Sequence, residues 1–394
     1  MSSSVELIKR RERVVCRGVG RISDMTAASA DGATIRDADG KSYIDFAGGI
    51  GVMNVGHCDP EVVEAIREQA ARMLHSCIHV ATYEPYVELC EMLVEILPHG
   101  PDTRVMLVNT GAEAIENAMK IARQATGRPA VICFTGAFHG RTLMALSLTS
   151  KLGYKLGCGP FAPEVYRLPY PTVRPRTGED EATVSRRELE RLRATFKDTV
   201  AAKDVAAIVL ELVQGEGGFN VAPRAYVEGL RKICDEHGIA LVFDEVQTGF
   251  CRTGSWAASE HYGVTPDLST WAKSMGGGLP ISSVIGRAEV MDKAAPGTLG
   301  GTYGGNPVAC AAAMATIRRM RELDLNARAA RCGRVIRERF EAMARRVPEV
   351  GDVRGLGAMM AIEFSEAGDP LKPATALAKR IMDMCRERGL LIIP

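Results

Sequence analysis

The sequence predicts an α/β protein: a mostly parallel sheet flanked by helices, plus a smaller second lobe. Three observations carry this. Short apolar runs recur at Val105 to Val108, Ala130 to Phe134, Ala206 to Leu212, Ala240 to Phe243 and Ser282 to Ile285. Bounded by turn signals, such runs mark strands buried on both faces. Helical patterns separate them, the order expected of right-handed strand–helix–strand crossovers. The chain's 394 residues also exceed what one small core usually holds.

From the amino end, residues 32–49, GATIRDADGKSYIDFAGG, alternate in strand fashion around Asp39-Gly40 and predict a hairpin. In GAEAIENAMKIARQATG, residues 111–127, Ala114, Ile115, Ala118, Met119 and Ala122 share one helix face, and Gly127 stops the helix. Leu168 to Glu190, with Pro169, Pro171 and Pro175, is expected to be a surface excursion. A second amphipathic helix covers residues 224–238, RAYVEGLRKICDEHG. From about Pro307 the pattern is helical as far as GDVRGLGAMMAIEF, residues 351–364, which predicts a strand pair. Leu390 to Ile393 predicts a last apolar strand, expected to lie as an unpaired edge. The expected division is residues 1–58 and 307–394 in the small lobe and 59–306 in the large one.

Composition narrows the function. Hydrophobic residues make up 46% and charged residues 25%, ordinary for a globular enzyme. The net charge of +1 favours neither a nucleic-acid nor a membrane partner. The first residues, MSSSVELIKRRERVV, lack the apolar stretch of a signal peptide. The 11 cysteines are odd in number, without CxxC spacing, and no HExxH occurs. A cytoplasmic protein with free thiols and no structural metal is expected.

Four stretches can carry chemistry. Residues 109–113, NTGAE, follow a strand and open a helix. Thr110 and Glu113 have capping-box spacing, and the amides of Gly111 and Ala112 would face an anion such as phosphate. A plain helix cap accounts for the same residues. Asp244 ends an apolar strand, where it can hold a cation in a cleft or simply cap a helix. Asp244-Glu245 resembles half a metal site but has no histidine or third carboxylate near in sequence. Lys273, in TWAKSMGGGLP, stands before three glycines. In a confined cleft such a lysine is a nucleophile toward aldehydes; on the surface it is an ordinary cation. In FTGAFHGRT, residues 134–142, Phe138 can stack on a flat cofactor and Arg141 can fork onto a carboxylate, or they are core and surface residues. Phosphate cradle, lysine and acid together match the needs of pyridoxal 5'-phosphate.

These residues, with VQGEGGF, FDEVQTGFCRTG, AKSMGGGLP and GGTYGGNP, resemble the class III aminotransferases of the fold type I pyridoxal-phosphate enzymes, from about Arg17 to Ile393. Residues 45–57, DFAGGIGVMNVGH, are most similar to bacterial 4-aminobutyrate aminotransferases. The resemblance implies a seven-stranded, mostly parallel sheet. It implies that Lys273 takes the cofactor's aldehyde and carries the reaction's proton, that the three glycines after it let backbone and cofactor approach closely, and that Asp244 pairs with the ring nitrogen. Gln247 would bond the ring's phenolic oxygen, and Val246 would pack opposite Phe138. His139 and Glu211 would lie beside the cofactor, and Gly111 and Ala112 would bind its phosphate. Thr302 would reach that phosphate from the neighbouring subunit of a homodimer or dimer of dimers. Ile50 and Arg141 would line the substrate pocket, and Glu216 would be the family's switch glutamate. The implied partners are a small amine donor and a 2-oxo acid acceptor. The expected reaction is 4-aminobutyrate with 2-oxoglutarate, giving succinate semialdehyde and glutamate.

The sequence also departs from the family. Relatives continue past Pro394 to an arginine that binds the α-carboxylate and pairs with the switch glutamate. Glu216 is therefore expected to lack a partner, the carboxyl-terminal part is expected to be truncated, and binding of 2-oxoglutarate is expected to be weak. Ala112 stands where some relatives have serine. Enzymes for 5-aminovalerate, acetylornithine, ornithine or β-alanine share the cofactor residues, with Ile50 and His79 as discriminating positions. A cofactor-binding relative without turnover is the remaining alternative.

Overall fold

A computed structural model describes residues 2–97, 99–100, 102–174, 178–366, 369 and 371–394. Near the amino end, strands β1 (Ser29–Asp31), β2 (Thr34–Arg36) and β3 (Ser42–Asp45) form an antiparallel meander. The β2–β3 hairpin turns at the predicted Asp39-Gly40, where Gly40 has φ 90°.

The large sheet follows. Its strands are β4 (Thr103–Val108), β5 (Ala130–Phe134), β6 (Val165–Leu168), β7 (Val205–Leu210), β8 (Ala240–Asp244), β9 (Leu268–Trp271) and β10 (Ser282–Arg287). They lie in the order β4-β10-β9-β8-β7-β5-β6. Only β10 runs antiparallel to its neighbours, so the other six end at the same edge. The five apolar runs all became strands of this sheet. β9 fills the room between Asp244 and Lys273. β6 carries little sequence signal, being a four-residue, half-buried edge strand that contains Arg167.

Helices cover both faces. The helix Gly111–Thr126 buries the five predicted face residues and ends at Gly127, φ 69°. Each large aliphatic side chain so buried contributes about 1.5–3 kcal/mol. The helix Arg224–His237 buries Tyr226, Val227, Leu230 and Ile233 on the opposite side, beside Phe134 and Phe243. The expected surface excursion is only partly one. Its later residues open the helix Glu181–Asp198, capped by Asp180 and seated through Val184, Glu188 and Leu192. Pro175 lies outside the described residues.

The helix Pro307–Glu322 is lined with alanine, and this small side packs against the helices Pro60–Arg72 and Glu84–Ile96. Arg319 ties it to Asp59, the cap of the former, at 3.1 Å. We therefore propose that the large lobe runs through Glu322, past the division expected at 307. The strands β11 (Val350–Leu356) and β12 (Met359–Phe364) form the predicted pair. The last strand, β13 (Leu390–Leu391), forms the edge of the small sheet β1-β2-β3-β13, with its outer side left without a strand partner among the described residues, as expected. It joins β3 in parallel, Leu390 opposite Ile44 and Leu391 opposite Asp45.

Candidate active site

The carboxyl ends of β4, β5, β7, β8 and β9 share one edge of the sheet, and the candidate residues stand there. Asp244 is the last residue of β8 and is buried. Its Oδ2 accepts from His139 Nδ1 at 2.7 Å, and its Oδ1 accepts from Thr270 Oγ1 at 3.2 Å and Val246 N at 3.0 Å. Burial works against a proton on His139. The Asp244 hydrogen bond and charge outweigh it, so the imidazole is raised above its ordinary value.

Glu211 follows β7. Its carboxyl accepts from Phe138 N and Gly215 N, both at 3.1 Å. Burial pushes it up to about 7, against the pull of His139. Phe138 and His139 are thus held in succession by two acids from two different strands, and both acids adjoin Lys273. That lysine opens a 3₁₀ turn just after β9, with φ 49°. Its Nζ donates to Gln247 Oε1 at 3.1 Å. Burial lowers its affinity for a proton, and Asp244 and Glu211 offset only part of that.

The expected role of the three glycines needs correction. The clearance expected for a cofactor is filled, at the first two, by protein side chains. A Cβ on Gly276 would lie 2.9 Å from Ile281 Cγ2, and one on Gly277, φ 58°, would lie 2.2 Å from Thr316 Oγ1. The lysine turn is pressed against β10 and the helix Pro307–Glu322. At the phosphate end Gly111 is closely packed as well. A Cβ there would meet Val246 Cγ1 at 2.9 Å. Thr110 caps the Gly111 helix through Glu113 N, while the Glu113 carboxylate reaches Asn109 N at 2.7 Å, one residue before the cap. This leaves Gly111 and Ala112 at the helix opening beside Val246.

On the outer side, Arg141 is exposed. Its guanidinium carbon lies 4.3 Å from the Tyr154 ring centroid and 6.0 Å from that of Phe138. Glu216 does not lack a partner as expected. Its Oε2 accepts from Lys151 Nζ at 3.2 Å and Tyr154 Oη at 3.1 Å. Lys151 and Tyr154 come from an irregular stretch after Arg141, and no motif in the sequence marks them. Ile50, φ 65°, sits in a turn whose next residue, Gly51, accepts from Ser274 Oγ at 3.0 Å. Thr302 is exposed, and no hydrogen bond joins it to Lys273, Asp244 or Gly111 among the described residues. A cavity of about 510 Å³ opens near it, lined by Leu74, His75, Asn109, Tyr303 and Asn306 rather than by Lys273. Among the described residues, no group of three or more metal-binding side chains gathers at Asp244-Glu245 or elsewhere. None of their helices is long and apolar enough to cross a membrane.

The residues fit pyridoxal 5'-phosphate by their own chemistry. A helix opening whose Gly111 admits no side chain suits the phosphate. A lysine with reduced proton affinity suits the aldehyde, and a buried aspartate suits the ring nitrogen. Fold and site together define a lysine-based cofactor enzyme on a mostly parallel α/β sheet. The profile of the class-III aminotransferases matches residues 16–394, and the chain belongs to that family. It is 47% identical over 388 residues to the 5-aminovalerate aminotransferase DavT of Pseudomonas aeruginosa, covering 98% of this chain and 90% of that protein. It is 46% identical over 394 residues to the 4-aminobutyrate aminotransferase GabT of Escherichia coli, covering 100% and 91%. Its fold matches the crystal structure of taurine:2-oxoglutarate aminotransferase from Bifidobacterium kashiwanohense, in complex with PLP and glutamate. The TM-score is 0.92 at 29% identity, covering 100% of this chain and 91% of that one.

Proposed function

We propose that this aminotransferase moves the terminal amino group of 4-aminobutyrate to 2-oxoglutarate, giving succinate semialdehyde and glutamate. The cofactor is pyridoxal 5'-phosphate. The observation that carries this is the Lys273 amine, low in proton affinity, beside Gln247 and next to the buried Asp244–His139 pair. Bound cofactor supplies the electron sink for breaking a bond at the amine-bearing carbon. Lys273 would hold the cofactor's aldehyde and move the proton at the substrate carbon. Asp244, fixed by His139 and Thr270, would keep the ring nitrogen protonated. Val246 and Phe138 would pack against the ring, Gln247 would bond its phenolic oxygen, and Gly111 and Ala112 would take the phosphate. Glu211 holds the Phe138 backbone in place. Arg141 receives the donor's carboxylate near Ile50. Glu216 alternates between Lys151 and the substrate's charge pattern. Thr302 serves the phosphate of a second copy in a homodimer, consistent with its exposure.

A second donor has specific support. The relative at 47% identity is named a 5-aminovalerate aminotransferase, and that amine is one methylene longer. The test is single turnover. Cofactor-loaded protein receives 4-aminobutyrate, or separately 5-aminovalerate, with no 2-oxo acid present. The expected result is loss of the visible lysine-linked band and one equivalent of semialdehyde, succinate semialdehyde from 4-aminobutyrate or the one-methylene-longer glutarate semialdehyde from 5-aminovalerate. A band unchanged by both amines refutes an ω-amino acid donor. Retention of the band in Lys273→Ala refutes the lysine's role.

A further inference from the structure

The Arg252 side chain is half-buried with its Nε fully enclosed, yet no ion pair reaches it among the described residues. Nη2 donates to Asn54 Oδ1, and Nε is buried without a partner among them. Burial pushes this group down to about 10. A cation largely withdrawn from water without an acid is costly, so its position asks for a reason. Asn54 is its one side-chain partner among the described residues, and Asn54 Nδ2 donates to Phe250 O at 2.5 Å. Two bonds from the Phe250–Arg252 turn thus fix a single residue of the segment 45–57.

That segment is a closed loop. At its base, Asp45 Oδ2 meets His57 Nε2 at 2.8 Å, and Asp45 Oδ1 accepts from Ala47 N and Gly48 N, each at 2.9 Å. Its tip is Gly49, Ile50 and Gly51, with φ of 64°, 65° and 75°. A β-branched residue at positive φ is strained and persists only where its surroundings hold it. Gly51 is seated on the lysine turn. Its carbonyl accepts from Ser274, next to Lys273, and a Cβ on it would lie 3.8 Å from Gln247 Cγ. On the far side of the turn, Arg252 O accepts from Ala358 N at 3.0 Å, which couples it to the β11–β12 connection.

We propose that Arg252 is a positioning residue: through Asn54 it fixes the Ile50 tip over Lys273 and thereby sets which length of ω-amino acid reaches the lysine. This rests on the ω-amino acid reading of the function. Without the Asn54 anchor the tip relaxes, while Lys273, Asp244 and Gly111 keep their places.

The test compares the cofactor-loaded protein with Asn54→Ala and with Asn54→Asp, which can still accept from Arg252. In Asn54→Ala, KM for the preferred donor is expected to rise about tenfold, the weight of one charge-assisted hydrogen bond. The ratio of kcat/KM for 4-aminobutyrate and 5-aminovalerate is expected to move several-fold toward one. The visible lysine-linked band is expected to stay, and Asn54→Asp, which keeps the acceptor for Arg252 but loses the donor to Phe250 O, is expected to restore part of the ratio. A second readout needs no turnover: the relative rates at which aminooxyacetate and its longer homologue 3-aminooxypropionate discharge that band. This ratio is also expected to move several-fold toward one in Asn54→Ala. Unchanged ratios in Asn54→Ala overturn the proposal. Equal losses on both donors, with a lowered Tm and no rescue by Asp, also overturn it and leave Arg252 a purely structural residue. If the unaltered protein acts on neither amine, the function reading fails, and the aminooxy ratio alone then decides the positioning role.

Discussion

Replacing Asp244 by Asn tests whether its charge, rather than its shape, organises the site. Asn keeps an acceptor for the His139 Nδ1–H, which lies 2.7 Å from Asp244 Oδ2, but removes the negative charge. Both side chains are buried, so solvent screening does not weaken the loss. In the unaltered protein His139 is raised above its ordinary value, because Asp244 outweighs the effect of burial. The stability from the pair is then fully present below about pH 6.5 and is lost as pH rises through the raised value. In Asp244→Asn burial is left as the leading influence, so the imidazole is lowered. Its stability is then lost as pH falls below about 6.5. The difference between the two proteins therefore grows toward acid. One charge-assisted buried hydrogen bond is worth about 2 kcal/mol. At about 2.1 cal/mol/K per residue, this is roughly 2–3 °C in Tm for 394 residues. The assay is thermal unfolding of cofactor-free protein from about pH 5.5 to about pH 8.5. Glu211 and Glu245 are both pushed up to about 7 by burial, so both proteins lose stability as pH rises from about 4.5 through about 7. The difference curve removes most of that common slope. A Tm difference that is flat with pH, or that widens toward alkali, refutes the argument.

Gly111→Ala brings a Cβ to 2.9 Å from Val246 Cγ1, so the helix opening and Val246 must separate. Cofactor affinity is expected to fall about tenfold or more in equilibrium titration, and the overpacking is expected to lower Tm of the cofactor-free protein by about 1–4 °C. In Glu245→Ala, the amides of Ala258 and Ser259, now 3.1 and 3.0 Å from its carboxylate, lose their buried acceptor, and so does the Thr248 hydroxyl. A loss of about 2–4 kcal/mol is expected by denaturant unfolding, and Glu245→Gln is expected to recover part of it. Glu216→Ala removes a pair whose Lys151 side chain is 54% exposed, so stability is expected to change by under about 0.5 kcal/mol. KM for 2-oxoglutarate in the second half-reaction is expected to fall several-fold, because Lys151 and Arg141 lose a competing carboxylate near Tyr154.

Much of the fold was legible because buried strands and amphipathic helices carry strong periodic signals. The face of the helix Gly111–Thr126 was read residue by residue, since seven of its residues are buried with a 3.6-residue period. β6 and the helix Glu181–Asp198 were obscured by prolines before them and by an arginine in the strand, which locally resemble loop. In the site, Asp244 and Lys273 were visible because each follows an apolar strand and strand ends converge at one edge. Lys151, Tyr154 and Asn54 were not, since their partnerships span 65, 62 and 198 residues and arise only when separate elements meet. The pairing of β13 with β3 is hidden for the same reason: it joins residues about 346 positions apart in the chain.

The glycines after Lys273 show how a sequence signal can be right in place and wrong in cause. Consecutive glycines correctly marked a position of close approach. What approaches is the protein itself, Ile281 at Gly276 and Thr316 at Gly277. The strain belongs instead to the residues that keep side chains at positive φ, Lys273 at 49° and Ile50 at 65°. Each costs of order 1–3 kcal/mol unless its surroundings hold it. The two strained turns brace each other through Ser274 and Gly51, and close packing at the glycines stops the lysine turn from relaxing toward the sheet. The glycines thus act on function indirectly: they let a rigid wall stand behind Lys273, so that its amine is held beside Gln247 in a conformation a free chain would rarely visit.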